Sequence, residues 1–451
     1  MKSINPATEQ LIEAHTAHTP EEVDQILISV DRAWQTWRTT SYEERAAFLR
    51  RAADILQGER DACAAILTAE MGKLKREARA EIEKCALVCR HYADTAAETL
   101  KEEMIETNYE KSTITFQPLG VILAVMPWNF PFWQVWRFLA PALMAGNVAV
   151  LKHASNVFGA AKKIEEIVQK AGFPQNVFRA LIIPSSQVEA VVKHPVVKAV
   201  TLTGSEAAGM QVAATAGKEL KKTVLELGGS DPFIVLEDAD LEKCTDIAVQ
   251  SRTLNVGQAC NAAKRFIVME GVAPAFEALL KKKMSALVVG DPSAEGTDMA
   301  PMARGDLVEN IHDQVSVSIE MGARLVCGGR KIDRPGFYYE PTILADVKKG
   351  MPAYDQETFG PVAAIITVKN AEEAVAVAND TPYGLAASVW SGSTERGEKL
   401  ARRIDSGMVF INTLVASHPK LPFGGIKRSG YGRECSEYGL REFVNVRTVC
   451  S

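Results

Sequence analysis

The chain has 451 residues, with 51 Lys and Arg against 56 Asp and Glu, a formal net charge of −5 and a pI near 5.9. A composition with 47% hydrophobic and 24% charged residues is typical of globular proteins, and it argues against disordered, collagen-like and disulfide-scaffold classes. The length predicts two or three domains, and the small negative charge gives no reason to expect a nucleic-acid partner.

The eight cysteines are scattered, with no C-x-x-C pair and no histidine cluster beside them, so no metal site is expected. This scatter is typical of reduced thiols and predicts a cytoplasmic protein. The first six residues lack the apolar run of a signal peptide. The most apolar stretch, 119–151, is interrupted by three prolines, an asparagine and an arginine, so we expect neither a membrane span nor a membrane partner.

The first hundred residues are predicted to be helical. Capping boxes at 19–22 and 41–44 mark two helix starts. Apolar residues then recur at helical spacing over 46–92. A short β-like segment follows at 112–117.

From residue 119 onward, strands and helices alternate, with helices predicted at 160–171 and 188–192. This alternation predicts an α/β protein with a doubly wound parallel sheet. A second α/β region opens at 233–236 and includes 253–268, 323–329 and 362–368. The strands of the first sheet are predicted at 121–125, 148–151, 177–183, 199–203 and 224–227.

Cys260 differs from the other cysteines because it lies among small and polar residues, after Gly257 and Gln258 and before Asn261. A partly exposed thiol in this setting could act as a nucleophile. A buried, inert thiol is the more common state of a free cysteine. The local pattern leaves both interpretations open.

Glu226 lies within an apolar strand, where a carboxylate is costly to bury. One interpretation is a general base with a raised pKa, and the other is an edge-strand side chain that faces water. Asn129 and Lys152 follow two strands at the end where ligands gather in open sheets. The Asn129 amide could donate to an oxyanion, and Lys152 could bind phosphate or ribose. A turn asparagine and a solvated lysine are the alternatives.

A glycine-bounded turn, Gly204 to Gly209, follows the strand that ends at Thr203. Such a turn can present backbone N–H groups and a helix dipole to phosphate. Its spacing is neither G-x-G-x-x-G nor that of a Walker loop, and a plain tight turn explains it equally well.

Seven segments, in order along nearly the whole chain, resemble motifs of the aldehyde dehydrogenase superfamily. Each motif alone is weak, whereas the ordered set is specific. Within the superfamily the chain is most similar to the short bacterial succinate-semialdehyde dehydrogenases, through Trp133-Gln134-x-Trp136-Arg137 and the segment 151–156. The seven segments are Pro127-Trp128-Asn129-Phe130-Pro131, Leu151-Lys152, Leu202-Thr203-Gly204-Ser205, Glu226-Leu227-Gly228-Gly229, Gly257-Gln258-x-Cys260, Glu357-x-Phe359-Gly360-Pro361 and Pro422-Phe423-Gly424-Gly425.

The resemblance implies an aldehyde dehydrogenase-like α/β fold with three parts. A Rossmann-type cofactor domain is expected over 1–107 and 119–228, with part of 420–438. A second α/β domain, the catalytic domain, is expected over 229–419. A small β oligomerisation arm is expected over 108–118 and 439–451, which implies a homodimer or homotetramer.

The resemblance also implies NAD(P)-dependent oxidation of an aldehyde to its acid. Cys260 would form a thiohemiacetal and then a thioester, Asn129 would stabilise the oxyanion, and Glu226 would activate the hydrolytic water. The expected substrate is succinate semialdehyde, with another ω-carboxylated or aliphatic aldehyde as the alternative. A CoA-acylating enzyme is less favoured, because such relatives generally lack the base at Glu226.

Cofactor and substrate residues are carried over in the same way. NAD-preferring members often have Glu three residues after the lysine, and Ser155 stands there instead, which favours NADP over NAD. The substrate carboxylate is expected at Arg137, with Trp133 as an apolar wall and Ser417 and His418 nearby. The alternative is that Arg137 pairs with a structural acid. The expected cofactor contacts are Pro127, Trp128, Lys152, Ser155, Gly204, Ser205, Gly209, Leu227, Glu357 and Phe359.

Overall fold

The computed structural model describes all 451 residues as fifteen α-helices and eighteen strands. The strands are Lys2–Ile4 (β1), Leu11–Ala14 (β2), Glu103–Met104 (β3), Ser112–Pro118 (β4), Val121–Met126 (β5), Val148–His153 (β6), Phe178–Ala180 (β7), Val197–Thr203 (β8), Lys222–Glu226 (β9), Asp231–Val235 (β10), Ala263–Met269 (β11), Arg324–Cys327 (β12), Thr342–Ala345 (β13), Val362–Val368 (β14), Ala386–Trp390 (β15), Met408–Ile411 (β16), Gly430–Tyr431 (β17) and Val444–Cys450 (β18).

The helices are Pro20–Trp37 (α1), Tyr42–Gly58 (α2), Arg60–Met71 (α3), Lys75–Thr99 (α4), Trp133–Met144 (α5), Phe158–Lys170 (α6), Val188–Lys193 (α7), Glu206–Lys218 (α8), Leu241–Thr253 (α9), Ala273–Ser285 (α10), Gly305–Glu320 (α11), Pro352–Asp355 (α12), Ala371–Asn379 (α13), Thr394–Ala401 (α14) and Ser436–Arg441 (α15). None of them combines the length and the apolarity that a bilayer-spanning helix requires.

Both predicted capping boxes start helices. The Thr19 side chain accepts from the backbone N–H of Glu22 at the start of α1, and Ser41 accepts from Glu44 at the start of α2. The side chain of each glutamate in turn accepts from the backbone N–H of its cap residue. Backbone N–H groups at the start of each helix therefore have hydrogen-bond partners within the first turn. The long helix α4 packs against α2, α3 and α5. One face of α4 therefore lies beside the start of α5.

The first large sheet has the strand order β17-β9-β8-β5-β6-β7. All neighbours are parallel except β17, which pairs antiparallel with β9 and places Gly430 opposite Glu226. The chain runs outward from β5 through β6 to β7 and returns as β8 on the other side of β5. This order creates a switch point between β5 and β8, where doubly wound sheets bind ligands at the carboxyl ends of their strands. The prediction of such a sheet is confirmed.

The second large sheet has the order β12-β13-β14-β11-β10-β15-β16 and is parallel except for β12. It is buried on both faces, as expected of a parallel sheet. Phe233 and Phe266 pack with Phe276 of α10 on one face. Ile234 and Ile267 pack with α11 and α13 on the other.

Two small antiparallel sheets complete the fold. Strand β18 pairs with β4 from Val444 opposite Pro118 to Cys450 opposite Ser112, and β3 pairs with the other edge of β4. The hairpin β1–β2 lies at the N-terminus. The domain limits drawn from the sequence stay predictions.

The structure differs from the sequence-based assignment at the sheet edges. The strand predicted at 177–183 is shortened to β7, an edge strand that pairs with β6 over three residues. The sequence pattern does not predict β1, β2, β3, β13, β15, β16 or β17. These strands have two to five residues, too few for a clear periodicity.

Candidate active site

Cys260 follows a strained 3₁₀ turn over Leu254–Gly257. Asn255 and Val256 have φ of 51° and 58°, and a β-branched residue rarely adopts this left-handed region. Arg252, which is fully buried, stabilises this segment through two hydrogen bonds, one on each side of Cys260 in sequence. Its guanidinium donates to the Gly257 carbonyl at 2.6 Å and to the Ala263 carbonyl at 2.8 Å. Strain of this kind persists only where the surroundings fix it, and it is common at functional sites.

The Cys260 side chain is partly exposed, whereas five other cysteines are buried. Burial raises the pKa of Cys260 to about 12, and the nearby cations Lys264 and Arg137 oppose the shift. At neutral pH the thiol is therefore protonated, and a base must remove its proton before it can attack. Its backbone N–H donates no hydrogen bond within the protein, so this group is free to bind an oxyanion.

Asn129 is buried and fixed beside the cysteine loop. Its Nδ2 donates to the Gln258 carbonyl at 3.0 Å, and its Oδ1 accepts from Gln134 Nε2 at 2.9 Å. The second contact orients the amide, so that Nδ2 is directed toward the loop that ends at Cys260. One Nδ2 hydrogen remains for a ligand. The geometry supports an oxyanion donor and does not support an isolated Asx turn.

A buried charge cluster behind Asn129 was not anticipated from the sequence. Lys73 pairs with Glu81 and also donates to the Asn129 carbonyl at 3.0 Å. Glu81 accepts from the backbone N–H of Phe132 and of Trp133 at the start of α5, at 2.9 and 3.0 Å. A carboxylate at this position complements the helix dipole. The cluster thus fixes the segment that positions Asn129.

Glu226 is the last residue of β9, and it is almost fully buried. Neither of its carboxylate oxygens has a hydrogen-bond partner, and Oε1 lies against Gly424. Burial, with a further contribution from Glu434, raises the pKa of Glu226 well above its ordinary value. A buried carboxylate with no partner and a raised pKa is what a general base requires. The alternative of an edge-strand side chain facing water is wrong, because β17 covers this edge.

A cavity of about 590 Å³ opens from Cys260. Three of the predicted residues, Trp133, Arg137 and Ser417, line it together with Cys260. Asn129, Glu226 and His418 are not among the lining residues. Asn129 contacts the cysteine loop through the Gln258 carbonyl, and His418 Nδ1 accepts from the Lys420 backbone N–H within its own loop.

Arg137 forms a buried ion pair with Glu434, which the sequence analysis had raised only as a generic structural acid. Its guanidinium also lies 4.5 Å from the centre of the Phe423 ring. The Nε–H of Arg137 is buried and has no acceptor within the protein. The role of Arg137 in substrate binding stays a prediction.

Lys84 is a second cation in this cavity that the sequence analysis missed. Its Nζ donates to Ser417 Oγ at 2.6 Å and lies 4.3 Å from the Trp133 ring centre. A signal was present in the sequence. Glu77, Glu81 and Lys84 recur at helical spacing within a predicted helix, and this polar stripe faces the cavity.

The predicted cofactor residues lie at the carboxyl ends of β5, β6 and β8, around the switch point. Lys152 is buried, its pKa is lowered by burial, and its Nζ contacts only Ser185 Oγ at 3.3 Å. No carboxylate neutralises it. Ser155 begins the next 3₁₀ turn and is exposed. A lysine without an acid partner beside exposed serines fits a phosphate group.

The glycine-bounded turn has both a structural and a binding aspect. Ser205 caps α8, with its Oγ accepting from the Ala208 N–H. A side chain at Gly209 would overlap Leu227, so Gly209 has a packing role. Gly204 is partly exposed at the N-terminus of α8, which is the part that can face a phosphate.

The remaining predicted cofactor contacts are Pro127 and Trp128, directly after β5, and Glu357 and Phe359, shortly before β14. Trp128, which follows Pro127, packs edge to face with Phe359, with ring centres 5.9 Å apart. Glu357 accepts from the Gly229 backbone N–H at 3.0 Å and lies 3.4 Å from Lys264. Lys264 in turn donates to the Cys260 carbonyl at 2.6 Å, so the Glu357 side chain is connected to the nucleophile loop.

The sequence matches the aldehyde dehydrogenase family model over residues 1–449. The chain belongs to the aldehyde dehydrogenase family, and the expected fold class is confirmed. It is 53% identical over 447 residues to a probable succinate-semialdehyde dehydrogenase [NADP(+)] of Synechocystis sp., covering 99% of this chain and 98% of the relative. It is 46% identical over 450 residues to succinate-semialdehyde dehydrogenase [NADP(+)] 1 of Mycobacterium tuberculosis, with the same coverage.

Solved structures give the same result for the fold. The succinic semialdehyde dehydrogenase of Streptococcus pyogenes, in complex with NADP+, superposes with a TM-score of 0.98 at 42% identity. The match covers 100% of this chain and 99% of that one. A structure of Gox0499, described in terms of cofactor and substrate selection, matches with the same TM-score, identity and coverage.

Proposed function

We propose that the protein oxidises succinate semialdehyde to succinate with NADP, through a covalent intermediate on Cys260. The observation that carries the proposal is the single cavity that joins a partly exposed cysteine to two cations, Arg137 and Lys84. A substrate that spans this cavity would have an aldehyde at one end and a carboxylate at the other. The names of the full-length relatives support the same substrate and cofactor.

The residues support a two-stage reaction. Glu226 accepts the thiol proton, and Cys260 attacks the aldehyde carbon to form a thiohemiacetal. The Asn129 amide and the Cys260 N–H donate to the oxyanion. A bound nicotinamide would supply a hydride acceptor for the reacting carbon. After Glu226 has released the thiol proton to solvent, it takes a proton from the water that hydrolyses the Cys260 thioester, which releases the acid.

The choice of NADP is supported by the surroundings of Lys152. Its ammonium has no acid partner and donates to Ser185 Oγ at 3.3 Å. Ser155, which is exposed in the turn after β6, stands where a glutamate would repel a 2′-phosphate. The two serines and the lysine can donate hydrogen bonds, and none of these side chains carries a negative charge. These groups favour a ribose that carries a phosphate.

The experiment is a panel of aldehydes assayed with both cofactors. Succinate semialdehyde should have a higher kcat/KM than butanal, and NADP a higher kcat/KM than NAD. Replacing Arg137 with Leu together with Glu434→Gln removes a charge pair without leaving a buried carboxylate alone. A charge-assisted hydrogen bond contributes about 1.5–3 kcal/mol, so kcat/KM for succinate semialdehyde should fall roughly 10- to 100-fold. Equal losses on butanal would refute the role of Arg137, and equal wild-type rates on both aldehydes would refute the substrate.

We also propose a homodimer or homotetramer in the cytoplasm. Strand β18 exposes Val446 and Val449 on opposite faces of the three-stranded sheet, where a second copy could cover them. All eight cysteines are free, which suits a reducing compartment. The molar mass measured by light scattering should be a multiple of the 49.1 kDa chain, and a monomer would refute the assembly.

A further inference from the structure

Lys84 differs from the other cations of the cavity in having no acid partner. Three cationic side chains line the cavity, and two of them face a carboxylate. Arg76 lies 3.8 Å from Asp298, and Arg137 is paired with Glu434. Lys84 contacts a hydroxyl and an aromatic face instead.

The acids closest to Lys84 in the fold are already engaged. Glu81, one turn earlier on α4, is paired with Lys73 and accepts two backbone N–H groups of α5. Glu434 is held by Arg137. The protein therefore does not pair Lys84 with an acid, and the cavity lining contains one unpaired cation. Removing such a charge from water is costly unless a partner arrives.

The ionisation of Lys84 reflects this cost. Burial and the charge of Arg137 lower the pKa of Lys84 to about 8, while Cys435, Cys85 and Glu81 oppose the shift weakly. These are the titratable groups that face it from α5, from the segment before α15 and from α4 itself. A carboxylate that entered the cavity would stabilise the ammonium form.

We propose that Lys84 is the counter-ion for the distal carboxylate of the substrate, with Ser417 as a shared hydrogen-bond partner. The proposal rests on the proposed function, because it requires an aldehyde that carries an ω-carboxylate. Arg137 lines the same cavity but is neutralised by Glu434, so Lys84 would contribute the net charge. The aliphatic chain of the substrate would lie against Trp133.

The test compares succinate semialdehyde with butanal, which has the same chain length and no charge, in the full-length enzyme with NADP. In Lys84→Met the ratio of kcat/KM for the two aldehydes should fall roughly 10- to 100-fold, mainly through the KM of the semialdehyde. Lys84→Arg keeps the charge and should retain most of the ratio. Lys75→Met, an exposed position on the same helix, is the matched control and should have the wild-type ratio.

The pH dependence provides a readout that a merely structural role would not change. Raising the pH above about 8 removes the Lys84 proton, so the wild-type ratio should decline there. In Lys84→Arg it should stay flat to pH 10, because a guanidinium keeps its charge. Ionisation of Cys260 affects both aldehydes and cancels in the ratio.

A second readout needs no cofactor. Succinate should protect Cys260 from alkylation by iodoacetamide in the wild type, and Lys84→Met should need roughly tenfold more succinate for the same protection. If Lys84→Met has the same kcat/KM ratio for the two aldehydes as the wild type, and succinate protects its Cys260 equally well, the role of Lys84 is refuted and the proposed substrate is not. A wild-type enzyme that does not prefer the semialdehyde over butanal would overturn both.

Discussion

Replacing Glu226 with Gln should slow the acylation step itself, because the thiol of Cys260 needs a base. Burial raises the pKa of Cys260, so the thiol is protonated at neutral pH. Glu226 is the buried, unpartnered carboxylate available to accept the proton. Loss of a general base typically costs a factor of roughly 10² to 10⁴. The single-turnover rate of NADPH formation at pH 7 should fall by about that factor.

The pH profile distinguishes this effect from a general loss of activity. Without Glu226, attack depends on hydroxide-driven ionisation of the thiol, so the single-turnover rate should rise roughly tenfold per pH unit between pH 7 and 9. The wild-type rate should rise less steeply and reach a plateau once Glu226 is ionised. Butanal is the substrate to use, because the ionisation of Lys84 then has no effect on binding.

The assay is stopped-flow detection of NADPH with enzyme in excess over butanal. Glu219→Gln, at the exposed end of α8, makes the same chemical change away from the site and should behave as the wild type. A burst in Glu226→Gln that is as fast as the wild type and independent of pH would refute the reasoning. Glu226 would then act only on the water that hydrolyses the thioester.

Three further changes test other parts of the site. Cys260→Ala should abolish aldehyde oxidation but retain NADP binding, measured by calorimetry. The control variant Cys244→Ala should keep most activity. Turnover by Cys260→Ala would exclude Cys260 as the nucleophile. Ser155→Glu should lower kcat/KM for NADP and spare that for NAD, because the new carboxylate repels a 2′-phosphate; an unchanged ratio of the two values would mean that Ser155 does not face the adenosine ribose. Glu81→Gln should lower kcat by roughly 10-fold or more, since it loosens the support of Asn129, and loss of one oxyanion donor costs roughly 10² to 10³; a lower melting temperature with unchanged kcat would contradict this.

The parts of the fold and of the site that sequence could predict are those fixed by short segments. In the fold, the Thr19 and Ser41 capping boxes are local. In the site, the positions of Asn129 and Lys152 follow from the carboxyl ends of two strands. A parallel sheet brings those strand ends together, so their neighbourhood could be anticipated.

The parts that sequence could not predict depend on pairs that are distant along the chain. Arg137 and Glu434 form one ion pair although nearly 300 positions separate them. Lys84 and Ser417 are more than 300 positions apart. In neither pair does the local sequence around one residue identify its partner, because the pairs form only when α4 and α5 pack against the C-terminal loops.

The short strand β17 has a consequence for the biosynthesis of the enzyme. It pairs with β9 at Glu226, and the neighbouring Leu227 N–H donates to the Ser429 carbonyl at 3.0 Å. Glu226 therefore acquires its final surroundings from a segment synthesised about two hundred residues after it. Because domains fold from the N-terminus as the chain emerges from the ribosome, the β5–β8 portion of the sheet can assemble while the site is still inactive. A nascent chain thus holds the nucleophile and the cofactor cleft well before it can complete a turnover.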